Sequence, residues 1–387
     1  MRALWALAAS AVLLAAGCSK DKDVEPPAKL VKFPATLSIT KAWSEGVGGG
    51  KKQMQLRLGL GPAIDKGLVF AASHKGEVIA VGLKKGDRKW RKDLKLPLSA
   101  GPAAGAGLVV VGSSKGQIIA LDSGTGREVW RTRVNGELLS AAAISEKVVA
   151  IRSVDGKLHG LDATSGKELW SVEQPVPRLS LRGTAAPTIA REMAISGFDN
   201  GKIMAVQLSN GDTVWDTALS SPHGKTELER LVDVDSRVSV VGDNVYAVGF
   251  QGRVAMLAVD SGQIWWAHDM SSNRGLAVDD DTLFIAGADG VIVALHGRDG
   301  SEIWRNDKLK RRGLSMPAVT STAIAVADYQ GYVHWLDKST GELVARERVS
   351  SDRVTNPPVA ADDTVVVLTD GGKLAAFRAN ARPKPQT

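Results

Sequence analysis

The sequence lacks several things that a chain of this length usually has. It contains one cysteine, Cys18, which excludes both an intramolecular disulfide framework and a cysteine-based zinc site. Its six histidines, at 74, 159, 223, 268, 296 and 334, form no H-x-x-x-H pair. No G-x-S-x-G elbow and no phosphate loop is present, and no 10–15-residue helical pattern alternates with strands. Tyrosine and phenylalanine are scarce, at three and six, against ten tryptophans. Tryptophan is normally the rarest of the three, so something in the chain asks for it repeatedly. Neither charge sign dominates: 49 basic and 42 acidic residues leave a net +7. At 44% apolar and 24% charged residues a sizeable core forms and global disorder is excluded. The length of 387 residues would ordinarily mean two or three domains.

There is one long uncharged run, and it stands at the start. After Arg2 no charge occurs before Lys20, which reads as a secretory signal with a short positive region and an apolar h-region. A spanning helix needs about 20 apolar residues, and Lys20-Asp21-Lys22-Asp23 ends this run too early. The only cysteine follows Ala15-Ala16-Gly17, a junction that resembles a bacterial lipobox. Residues 1–17 are thus expected to be cleaved and Cys18 to be acylated, with more than one chain, as stable anchoring requires. Ser19, where an Asp would resemble an inner-membrane retention signal, favours the outer membrane. Residues 18–36 are polar, contain proline and have no period, so they read as a flexible tether.

The rest of the chain is one repeat. Taking residues 116–130, GQIIALDSGTGREVW, as the template, the first Gly recurs at 76, 116, 156, 201, 252, 290, 331 and 372. Ten residues on stands a second Gly in the first seven copies, at 86, 126, 166, 211, 262, 300 and 341. Fourteen residues on stands Trp90, Trp130, Trp170, Trp215, Trp266 or Trp304, and Ala345 in the seventh copy. Period-2 alternation after the first Gly suits a strand, and the D-S-G-T-G segment suits a turn. Four short antiparallel strands per roughly 40 residues describe a propeller blade. The eighth copy ends in a tail with no strand pattern, while Leu37 to Trp43 is an orphan strand with the right Trp. An N-terminal strand that completes the last blade closes the ring and removes its exposed edge. The expectation is an all-β, eight-bladed propeller over residues 37–378, with 379–387 a disordered tail.

The repeat is broken in two places. From the Trp to the start of the next blade is 12 residues in the first copies, but 17 from Trp170 to Pro187 and 23 from Trp215 to Val238. In a propeller both insertions lie side by side on one face, and loops on a rigid scaffold carry function. One holds Leu179-Ser180-Leu181-Arg182; the other runs from Thr226 to Asp235. The apolar residues there suit a docking patch or a cap on the core. His159 and His334 share one repeat position and read as strand-face residues, not ligands. The basic run from Lys84 to Lys92 reads as a solvated blade edge, not a nucleic-acid patch. The run from Lys308 to Arg312 reads the same way, with an anionic lipid surface as its alternative partner.

The repeat A-L-D-x-x-T-G-x-x-x-W resembles the pyrroloquinoline-quinone-type propeller repeat. Two readings within that superfamily compete. A periplasmic quinoprotein dehydrogenase would be longer, would hold quinone and calcium in the central channel, and usually has two adjacent cysteines. The chain is more similar to the BamB family, propeller lipoproteins of the β-barrel assembly machinery: signal, lipobox, tether, eight blades and no catalytic decoration. That resemblance implies a scaffold that is not an enzyme and needs no cofactor or metal. It is lipid-anchored on the periplasmic side of the outer membrane and docks on the POTRA domains of BamA. The implied contacts are Leu179, Leu181, Arg182, Asp233 and Asp235; Val232 departs from the family pattern, which has a polar residue there. Apart from the resemblance, exposed blade edges suit the incoming strands of unfolded outer-membrane clients, held by β-augmentation, as a further partner. A glycan-binding propeller is the third class.

Overall fold

The computed structural model describes residues 25–48 and 58–381; the expected signal peptide and Cys18 lie outside them. The described residues form eight four-stranded antiparallel sheets and no α-helix, the blades of an eight-bladed β-propeller. Blade 2 shows the pattern: Leu98–Gly105 innermost, then Leu108–Ser113, Gln117–Asp122 and Glu128–Arg133 on the rim. The two middle strands are almost wholly buried, because both of their faces meet a neighbouring blade. On the rim strand only Trp130 is buried. The core is correspondingly divided into layers between blades. Phe70, Val78 and Trp90 of blade 1, for example, pack on Val109, Val111 and Ile119 of blade 2.

The two fixed residues of the repeat are one device. The indole N–H of Trp90 donates to the carbonyl of Ser123, in the turn of the following blade, at 2.8 Å. The ring lies against Gly126 of that same turn, where an added Cβ would stand 2.7 Å from it. Gly126 also has a φ of +70°, which a side chain would strain. The same donation, from each Trp to the next blade, recurs at Trp43, Trp130, Trp170, Trp215, Trp266 and Trp304. Ala345 breaks the series because blade 8 has no such turn to offer: its rim strand comes from the other end of the chain. Blade 7 exchanges the two sizes. Elsewhere a small residue usually faces the Trp, as Ala120 faces Trp130. Here Trp335 faces Ala345 and fills the core, fully buried, with its edge on Phe377.

Ring closure follows the sequence expectation. Blade 8 consists of Val359–Ala361, Thr364–Leu368 and Lys373–Ala381, with Leu37–Gly46 as its rim strand. Pairing runs from Leu37↔Ala381 to Gly46↔Lys373.

Two boundary expectations need correction. The last strand runs to Ala381, so residues 379–381 belong to the propeller, where Ala379 and Asn380 pair with Ile39 and Ser38; the rest of the expected tail lies outside the described residues. The tether is also not free along its length. Residues 25–36 form a strap laid over blade 7. The Ala28 N–H donates to Lys310 O and the Thr36 N–H to Val344 O. Arg312 Nη1 and Arg346 Nη1 donate to the carbonyls of Ala28 and Val31, and the Arg346 guanidinium covers the Phe33 ring. Both arginines are themselves fixed. Arg312 is paired with buried Asp328, and Arg346 Nε donates to Nδ1 of fully buried His334, whose Nε2–H donates to Asp328. A polar, aperiodic sequence gives no sign of such docking, because the strap bonds chiefly through its own backbone N–H and C=O groups, which any sequence carries.

Candidate docking site

Both insertions leave a rim strand and enter the next inner strand, so they lie on the same face of the ring. The first joins Glu168–Glu173 to Thr188–Ala190, and the second joins Thr213–Ala218 to Ser239–Val241. The second has two parts. Residues 221–230 form an exposed arch, in which the Glu229 carboxylate accepts from the N–H groups of Lys225 and Thr226. Residues 231–234 return through the interior. Asp233 exchanges backbone hydrogen bonds with Phe250, and the Val234 N–H donates to Phe198 O. Leu231, Val232 and Val234 are buried, so the apolar residues of this segment divide: these three are core, while Leu228 (67% exposed) and Leu179 (40%) face solvent. Val232 is apolar because it points inward.

Beneath the loops lies a buried charged cluster. Arg152 is fully enclosed, with Nη2 3.0 Å from Asp199 Oδ1 and its guanidinium 4.1 Å from the Phe198 ring centre. Asp199, Asp233 and Asp235 bring carboxylate oxygens within 4.8 Å of one another. Burial first, then the neighbouring charges of Asp235 and Asp199 and a hydrogen bond to Asp235, push the Asp233 carboxyl up to about 9. Burial likewise raises Asp199, against the opposing pull of Arg152. Asp233 and Asp235 therefore share a proton near neutrality. The Arg152 guanidinium on Asp199 supplies positive charge beside these carboxylates.

This cluster sets the shape of the outer surface. The Leu181 N–H donates to Asp233 Oδ2 at 3.1 Å, tying the first insertion to the second. Gly183 lies where a Cβ would come within 2.8 Å of Asp235 Oδ2, so a side chain there would push that carboxylate aside. Arg182 is exposed and reaches Glu137 of the preceding inter-blade connection at 2.9 Å. Arg182, Asp235, Arg237 and Arg274 also line a cavity of about 340 Å³ at the mouth of the central channel. The five residues marked in the sequence are thus brought together, but in two roles. Leu179 and Arg182 are exposed, and Leu181 and Asp235 are half-buried. Asp233, 1% exposed, positions the loops and offers little to a partner. Arg152 and Asp199 were missed. The repeat carried the signal for Arg152, which stands four residues before its glycine, where other copies have Ala72, Gly112 or Ala286.

Comparison with known proteins fits this geometry. The family model described as outer membrane protein assembly factor BamB matches residues 74–306 and 288–382. The chain belongs to the BamB family. It is 44% identical to BamB of Pseudomonas aeruginosa over 97% of both chains, and 41% identical to that of Alkalilimnicola ehrlichii over 97% of both. The crystal structure of BamB from Moraxella catarrhalis superposes with a TM-score of 0.80 at 26% identity, covering 88% of this chain and 100% of that one. The quinohemoprotein alcohol dehydrogenase of Comamonas testosteroni shares the propeller fold, with a TM-score of 0.69 at 12% identity over 90% of this chain and 78% of that one. These three BamB relatives are thus matched along nearly their whole length, whereas the dehydrogenase shares the fold alone.

Proposed function

We propose that this chain is an outer-membrane protein assembly factor that works without catalysis, as a scaffold of the β-barrel assembly machinery. It docks on BamA POTRA domains through the face bearing the two insertions. Membership of a family whose members are named as assembly factors supports the process. The observation that carries the docking surface is the Leu181–Asp233 bond, which joins two neighbouring overlong connections over a buried charged base and leaves Leu179 and Arg182 exposed. Rigid loops bind at lower entropic cost than mobile ones. Leu179, Leu181, Arg182 and Asp235 supply the contact, and Asp233 holds them in place. Anchoring through an acylated Cys18, on the periplasmic side of the outer membrane, keeps the scaffold at its site of action.

The test is co-purification with BamA from native outer membranes. Arg182→Glu and Leu179→Asp should each lower BamA recovery by about tenfold or more, as central interface residues do, with the urea midpoint of the propeller unchanged. Undiminished recovery from both variants would refute the docking surface. Purified protein should give no oxidation of alcohols or sugars when quinone and calcium are supplied; turnover would favour the dehydrogenase reading.

A further inference from the structure

The strap fixes where the N-terminal segment leaves the ring. Thr36 lies at Val344, near the start of the blade 7 rim strand Leu343–Arg348; Val31 lies at Arg346; and Ala28 lies at Lys310. Read towards the N-terminus, the strap climbs the outside of blade 7 and ends over residues 307–317, the connection from blade 6 to blade 7. That connection, like the two insertions, runs from a rim strand to an inner strand. Glu25 therefore stands on the insertion-bearing face, where it pairs with Arg311 at 2.5 Å. From Cys18 to Glu25 are seven residue steps, at most about 25 Å if fully extended. An anchor at Cys18 keeps this corner within that distance of the bilayer surface.

The chemistry of the corner matches the surface it would meet. Lys29, Lys308 and Arg311 are exposed and Lys310 is half-exposed, against the carboxylates of Glu25 and Asp307. Among the described residues, Lys29 and Lys308 have no anionic partner. The other exposed basic run, Lys84, Lys85 and Lys89, sits at a turn on the opposite face and on the neighbouring rim strand of blade 1.

We propose that the strap-exit corner, built from Lys29, Lys308, Lys310 and Arg311, is a membrane-contact surface that binds anionic phospholipid headgroups and turns the insertion-bearing face towards the bilayer. The inference rests on the membrane anchoring proposed above, and its test is made without the anchor. Unacylated protein beginning at Ser19 is floated with vesicles of phosphatidylethanolamine, with and without phosphatidylglycerol, at 50 mM and 500 mM salt. The expected result is binding to the anionic vesicles alone, lost at high salt. It should weaken by about tenfold in the combined variant Lys29→Glu, Lys308→Glu, Lys310→Glu and stay unchanged in Lys84→Glu, Lys85→Glu, Lys89→Glu. No binding at low salt, equal binding to neutral vesicles, or equal loss in both variants would overturn it. BamA recovery should be normal in the first variant, so failure here is distinct from failure of the docking surface.

Discussion

Trp90 and Gly126 depend on each other across a blade boundary, and each has a measurable replacement. Gly126→Ala places a methyl group against the indole at a positive φ, and Trp90→Ala removes a buried ring together with its hydrogen bond to Ser123. Trp→Ala in a core costs about 3–5 kcal/mol, so the urea midpoint of Trp90→Ala should fall sharply, and that of Gly126→Ala should fall in the same direction. Gly126→Ala should cost less in the Trp90→Ala background than alone, because the clash with the indole is gone and only the strain of the positive φ remains. Asp233 makes a different prediction. A carboxyl held up at about 9 keeps its proton in the folded state, while the unfolded chain releases it above the ordinary 3.8. Folding therefore binds a proton between these values, and that contribution to stability is lost as pH rises through them. Asp233→Asn keeps an acceptor for the Leu181 N–H and does not titrate. Its unfolding midpoint should vary less between pH 5 and pH 9 than that of the native chain; an equal slope would place the proton elsewhere.

At the scale of elements, the strap is the piece the sequence hid. Blades were legible because turn glycines, alternating apolar residues and tryptophans recur at fixed offsets, and every copy supports the others. The strap occurs once, and its grip depends on Arg312 and Arg346, residues of the blade 6–7 connection and of the blade 7 rim strand. The two insertions were half legible. Their excess length showed against the repeat, but the inward turn of residues 231–234 did not, since burial there is set by neighbouring blades. His334 makes the strap sensitive to acid. Burial holds its imidazole below the ordinary 6.5, opposed by its bond to Asp328. The charged groups around it are Asp328, Arg346 and Arg312, with the Tyr332 ring alongside. The unfolded chain takes up a proton below about 6.5 before the folded chain does, so this contribution is present above that pH and lost as pH falls. Protonation also removes the acceptor of Arg346. Amide exchange at Ala28 and Thr36, compared with that of the blade cores, should therefore accelerate from pH 7 to pH 5. In His334→Gln that acceleration should be absent.

The whole molecule is held by one seam between chain ends. Deleting residues 25–46 would remove both the strap and the rim strand of blade 8, leaving Lys373–Ala381 as an open edge. Such an edge recruits other chains, so the truncated protein should elute as oligomers on size exclusion and unfold at a lower urea concentration. Supplying a peptide of residues 37–46 should restore the monomer. The seam also imposes an order in time. Leu37 meets Ala381 across almost the entire length of the polypeptide, and a chain synthesised from its N-terminus delivers the first of these strands long before the second. Seven blades can form while that strand waits unpaired. A product cut short by interrupted synthesis keeps its ring open and both edges exposed, so the ring can close only once its last strand has been made.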